Sequence, residues 1–124
     1  MKRDVDLLRE LLLFAETNGE PIVGTVIQQD DLEIIQSRDQ LHGHINLLVD
    51  SGFMKNPGHT QSTLYLGDLT PEGYDFLDSV RDPEIWRKTK SVGEKAGGWT
   101  VSLLSDIAKG LIKTQIKKYT EVDL

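Results

Sequence analysis

Three histidines, His42, His44 and His59, are the side chains of this chain best suited to hold a metal or move a proton near neutral pH. His42 and His44 lie two apart in a helix-forming stretch. They therefore point about 200° apart on a helix and cannot share an ion. A helical zinc pair sits four residues apart, as in H-E-x-x-H. His44 borders the core-facing positions and reads as a packed, hydrogen-bonded histidine. The carboxylate pairs Asp4/Asp6 and Asp30-Asp31 fall in polar stretches, where solvation accounts for them. There are no cysteines, which removes thiolate metal sites and cysteine nucleophiles. Neither a Gly-rich phosphate loop nor G-x-S-x-G nor an EF-hand pattern occurs. The expectation is a binding module without catalysis, metal or cofactor.

Residues able to bind a partner are easier to find. Gln40 and Asn46 suit readout of base edges, and Leu47 suits a protein contact. Lys55 and His59 flank a turn at Asn56-Pro57-Gly58. Lys109, Lys113 and Lys117 follow at steps of four near the C-terminal end, with Lys118 beside them. Net charge is −6 and unevenly spread. Residues 1–82 hold six Lys/Arg against fifteen Asp/Glu, a net −9, and residues 83–124 hold eight against five, a net +3. Affinity for nucleic acid comes mainly from phosphate neutralisation by Lys and Arg, so the acidic part is poorly suited to it.

The elements that must position these residues follow from local pattern. Val5, Leu8, Leu12 and Ala15 recur at helical spacing and predict a helix over 3–17, stopped by Asn18-Gly19. Leu7, Leu11 and Phe14 broaden its apolar arc beyond one stripe, so it is covered on two sides or meets another chain. The β-branched residues suggest one strand near 32–36 and a second near 22–27 paired as a hairpin, with a loop over 22–36 as the open alternative. Ser37, with Gln40 three residues on, opens a helix from Arg38 to Ser51 that closes at Gly52. Leu41, Ile45 and Leu48 line its inner face. Asp39, Gly43, Asn46 and Asp50 line the outer one, with Gln40 and an exposed Leu47 beside it. Phe53-Met54-Lys55 and Leu64-Tyr65-Leu66 read as the strands of a second hairpin. Thr70-Pro71 and Asp82-Pro83 each start a helix. Thr100 caps a last amphipathic basic helix, roughly 101–119.

The fold expected is α+β and winged-helix-like with additional C-terminal helices. The boundaries are a core at 1–92, a Gly-rich link at 93–99, and a C-terminal helix at 100–124 packing on the same domain. Such a length suits one domain with a real core. No apolar run approaches a membrane span, so no membrane partner is expected. The charged opening Met1-Lys2-Arg3-Asp4 is unlike an export signal, and the expected location is cytoplasmic.

Several stretches together carry a resemblance. They are Met1-Lys2-Arg3-Asp4-Val5-Asp6-Leu7-Leu8, Leu41-x-x-His44-x-x-Leu47-Leu48-x-x-x-Gly52-Phe53, Leu69-Thr70-x-x-Gly73-Tyr74-Asp75-Phe76-Leu77-Asp78, and Arg81-Asp82-x-x-x-Trp86. In this combination the chain resembles a group of small uncharacterised bacterial and prophage proteins known as a domain of unknown function. The resemblance implies a winged-helix-like fold and transfers no functional residue. It implies a fixed hydrogen bond for His44 within the fold. Two functions stay open. One is a DNA-linked transcriptional regulator, acting as a homodimer through Gln40, Asn46, Lys55, His59 and the C-terminal lysines. The other is an acidic adaptor or inhibitor that binds protein and not DNA.

Overall fold

A computed structural model describes residues 1–18, 24–58, 60, 62–95, 97 and 100–120, with the backbone alone at 119 and 120. Two compact units divide the chain, Met1–Asp75 and Phe76–Leu124.

In the first unit α1 spans Val5–Asn18. The Asp4 carboxylate caps it, accepting from the backbone N–H groups of Asp6 and Leu7 at 3.0 and 3.3 Å. Val5, Leu7, Leu8, Leu11, Leu12 and Ala15 are all buried, so most of the broad apolar arc is covered within the folded chain, with Phe14 half-buried at its edge. Helix α2, Arg38–Asp50, packs on α1 through a face of Leu41, His44, Ile45 and Leu48. Ser37 Oγ accepts from Gln40 N at 3.1 Å. The return bond runs to Gln36 N at 2.7 Å, one residue earlier than in a standard capping box. At the other end Gly52 takes φ +79°. Its N–H donates to Val49 O and Phe53 N–H donates to Leu48 O, both at 3.0 Å. That is a Schellman closure, which needs the left-handed residue glycine supplies without strain.

The sheet differs from the sequence expectation. Strand β1, Thr25–Ile27, pairs antiparallel with β2, Leu64–Leu66, in the register Thr25↔Leu66, Val26↔Tyr65, Ile27↔Leu64. Residues 22 and 23 of the expected first strand lie outside the described residues. The expected strand at 32–36 is a turn, and no hairpin forms among the described residues 24–36. The cause is local: Gln28–Asp31 closes on itself as a 3-10 turn, with Asp31 accepting from Gln28 N at 2.8 Å. Ile35 then donates its N–H to Leu32 O at 3.2 Å and buries its side chain as a single anchor before α2.

The second expected hairpin is also re-registered. Met54 pairs with Leu69 through an isolated bridge, and Lys55 N donates to Asp68 O at 2.8 Å. Leu64–Leu66 is thereby left for β1. Gly67 permits this close pairing, because a Cβ there would overlap the Lys55 carbonyl oxygen and lie 3.0 Å from its carbon.

Helix α3, Pro71–Val80, is fastened to the end of α2 by Thr70. Thr70 N donates to Phe53 O at 3.1 Å. Its hydroxyl donates to Gly52 O and accepts from Gly73 N, the latter at 3.0 Å. Gly73 is buried against the Phe53 backbone.

In the second unit α4, Pro83–Lys95, packs on α5, Val101–Thr120. Asp82 caps α4 by accepting from Glu84 N and Ile85 N at 2.8 and 3.0 Å. Ile85, Trp86 and Thr89 are buried on α4, and Leu104 and Ala108 on α5. Lys90 lies 5.5 Å from the centre of the Trp86 ring, within cation–π range. Arg87 makes two hydrogen bonds to the Glu84 carboxylate, and these hold that carboxyl below its ordinary value. Because the folded value is depressed, this exposed pair contributes at neutral pH and is lost as the solution is acidified.

Gly93 is a buried residue of α4, so the first three residues of the expected 93–99 link are helical. Ala96, Gly98 and Trp99 lie outside the described residues. Thr100 Oγ1 accepts from Leu103 N at 3.1 Å and starts α5 where the sequence places it.

Gly110 lies inside α5 with open space where a Cβ would stand. Gly110→Ala is therefore expected to stabilise the second unit by about 0.5–1 kcal/mol. Urea unfolding followed by circular dichroism reads this as a higher midpoint.

Candidate interaction face

His44 organises the surface of α2 from beneath. Its side chain is completely buried. Nε2 lies 2.8 Å from Asp4 N, and Nδ1 lies 2.8 Å from Gln40 O. An amide N–H can only donate, so Nε2 is the acceptor and the ring hydrogen sits on Nδ1, donating to Gln40 O. The ring is thus a neutral connector between α2 and the residue that caps α1. The histidine best placed for chemistry is fully engaged in structure.

The same bond lays residues Met1–Asp4 along α2. The Met1 side chain rests against Gly43, where a Cβ would overlap Sδ and stand 3.0 Å from Cε. Lys2 and Arg3 beside it are exposed. This packing was not legible in the sequence; the signal that hinted at it is a glycine in mid-helix, unfavourable unless something lies close.

Met1 is 73% exposed, so it can yield. Gly43→Ala is expected to displace the methionine while changing stability by no more than about 1 kcal/mol, because helix propensity offsets the lost contact. The Met1 methyl resonance checks it: a shift toward its solvent-exposed position is expected.

The outward side of α2 is left with Asp39, Asn46 and Asp50, all exposed, and a half-buried His42. Gln40 belongs to the capping exchange with Gln36. Leu47, expected to be exposed, is half-buried, because it lies on the flank of Gln40 and Gly43 and not at the centre of the outer face. Lys55 is exposed. His59 lies outside the described residues. Asn46 is therefore the one expected readout residue of α2 that lies outside the capping exchange and is exposed, and carboxylates stand on either side of it along the helix.

Lys109, Lys113 and Lys117 belong to the second unit, where all three are exposed on α5. A cleft of about 280 Å³ beside β1 is lined by residues that include Ile27, Gln29, Arg38, Leu41 and Thr63, with no carboxylate or histidine among its described lining residues. No group of three or more His, Cys, Asp or Glu able to hold a metal occurs among the described residues. No helix among them is long and apolar enough to cross a membrane.

Comparison with protein families matches residues 2–99 to the family described as Hypothetical protein (DUF2513). The chain belongs to the DUF2513 family. The match covers α1 to α4 and ends just before α5, so both the His44 connection and the Thr70–Gly73 junction lie within the family region. No curated protein and no solved structure matches the chain.

Proposed function

We propose that this DUF2513 chain is a non-enzymatic, winged-helix-like binding module that works by protein contact through the outer face of α2. What carries the reading is the pair of exposed carboxylates, Asp39 and Asp50, on either side of Asn46 along the helix that a winged helix would lay in a groove. These two carboxylates disfavour phosphates and favour a basic protein surface, with the exposed Lys2 and Arg3 lying along the same helix. The winged-helix likeness rests on β1 pairing with β2, Met54 pairing with Leu69, and the intervening turn at Asn56-Pro57-Gly58 in the place of a wing.

One observation favours the second reading, a DNA-linked regulator: Lys109, Lys113 and Lys117 are exposed at four-residue steps on α5. They would supply phosphate contacts without sequence readout.

A photo-crosslinking amino acid at position 46 separates the two. Irradiated in the cells that make the protein, it is expected to yield protein adducts that resist nuclease. Nuclease-sensitive adducts would overturn the reading in favour of DNA.

A further inference from the structure

Asp4 is tied to α1 and to α2 by different atoms. Toward α1 its carboxylate accepts from Asp6 N and Leu7 N, and its carbonyl oxygen accepts from Leu8 N at 3.2 Å. Toward α2 its N–H donates to His44 Nε2 at 2.8 Å. The Met1 side chain adds a contact with Gly43, while residues 1–3 are exposed.

The bond to α2 exists for one protonation state of the ring. The Nδ1 hydrogen goes to Gln40 O at 2.8 Å, and Nε2 accepts with its lone pair. A proton added at Nε2 turns that acceptor into a donor. Two N–H groups then face each other at hydrogen-bond distance, beside a ring with no exposure to water. Donors left without an acceptor away from water are costly. The ring cannot turn aside without giving up Gln40 O. The segment can move, because it precedes α1 and lies at the surface. Once Asp4 N–H withdraws, water reaches Nε2–H and takes its hydrogen bond.

We infer that Met1–Asp4 is a proton-operated latch on α2, closed while His44 is neutral and opened when the ring is protonated. Asp4 is the hinge. Its three bonds to the first turn of α1 do not involve the ring, so α1 survives the opening. Opening uncovers the flank of α2 at Gly43 and carries Lys2 and Arg3 away from the helix, so acidification changes both the shape and the charge of α2. Within five residues of Asp4 stand Lys2, Arg3, Asp6 and Arg9, and within five of His44 stand Asp39 and His42. Charges of both signs surround the latch, and what opens it is the reversal of Nε2 from acceptor to donor. The bond needs the neutral ring, so its contribution is present at neutral pH and lost as the pH falls.

Nuclear magnetic resonance of the full chain, titrated from about pH 7.5 to about pH 5, tests the inference. That range spans the ordinary titration of histidine and leaves most carboxylates ionised. The ring nitrogens of His44 report protonation. The nuclear Overhauser contact between the Met1 methyl and Gly43 reports the latch, and the buried methyls of Leu8 and Ile45 report the fold. As His44 takes up its proton, the Met1–Gly43 contact is expected to disappear with the same midpoint, while the buried methyls stay in place. His44→Gln supplies an acceptor that takes no proton, and it should keep the contact across the whole range. Four results would each overturn the inference: a ring that stays neutral throughout, a contact that outlasts protonation, buried methyl signals that vanish together with the contact, or the same pH response in His44→Gln.

Discussion

His44→Phe is expected to lower stability by about 2–3 kcal/mol, although it puts a flat, apolar ring of similar size into a fully buried position. Polarity alone would suggest a neutral change. The loss arises because Asp4 N–H loses the acceptor 2.8 Å away at Nε2. A donor left unpaired away from water costs about 1–3 kcal/mol, and refitting the ring adds to it. Gln40 O is affected less, since it keeps its role in the α2 ladder. His44→Gln should lose less than half as much, because its amide oxygen can accept from Asp4 N–H. Thermal unfolding should show a fall of roughly 6–15 °C for phenylalanine and a visibly smaller one for glutamine. Equal losses would mean that ring packing, and not the hydrogen bond, holds Met1–Asp4 to α2.

Gly73→Ala should be equally damaging, and its sign is the informative part. Inside an ordinary exposed helix the change stabilises by about 1 kcal/mol. At position 73 the new Cβ would overlap the Phe53 carbonyl oxygen, lie 2.9 Å from its carbon and 3.2 Å from its Cα. These are backbone atoms, which cannot rotate aside. Phe53 O also accepts from Thr70 N, and Thr70 Oγ1 accepts from Gly73 N, so any shift strains the whole α2–α3 junction. A loss of about 2–4 kcal/mol is expected, read from the urea midpoint. Gly110→Ala is the internal control, with open space around it and a gain expected. A gain at both positions would show that α3 can move off Phe53.

Much of this architecture was legible because it is local. Ser37, Thr70, Asp82 and Thr100 each announce a helix start by side-chain chemistry within three residues, and each makes that bond. Gly52 announces an end in the same way. What was hidden depends on distant partners. The pairing of Thr25–Ile27 with Leu64–Leu66 joins residues nearly forty apart, and nothing near either strand names the other. Ile34 and Ile35 have strand-like composition, but the self-closing turn at Gln28–Asp31 decides their conformation. The outer face of α2 was half legible: helical periodicity places Asp39, Asn46 and Asp50 together. It cannot show Met1 lying against Gly43 or Gln40 engaged with Gln36.

The protein-contact reading of α2 is tested most directly by titrating the protein into labelled duplex DNA of random sequence at low salt and following fluorescence anisotropy. If α2 is a protein-contact face, any binding is weak, falls steeply with salt, is reduced by Lys113→Glu and is unchanged by Asn46→Ala. Tight binding that persists at physiological salt and drops tenfold or more, by about 1.4 kcal/mol, in Asn46→Ala would contradict it and place α2 in a DNA groove.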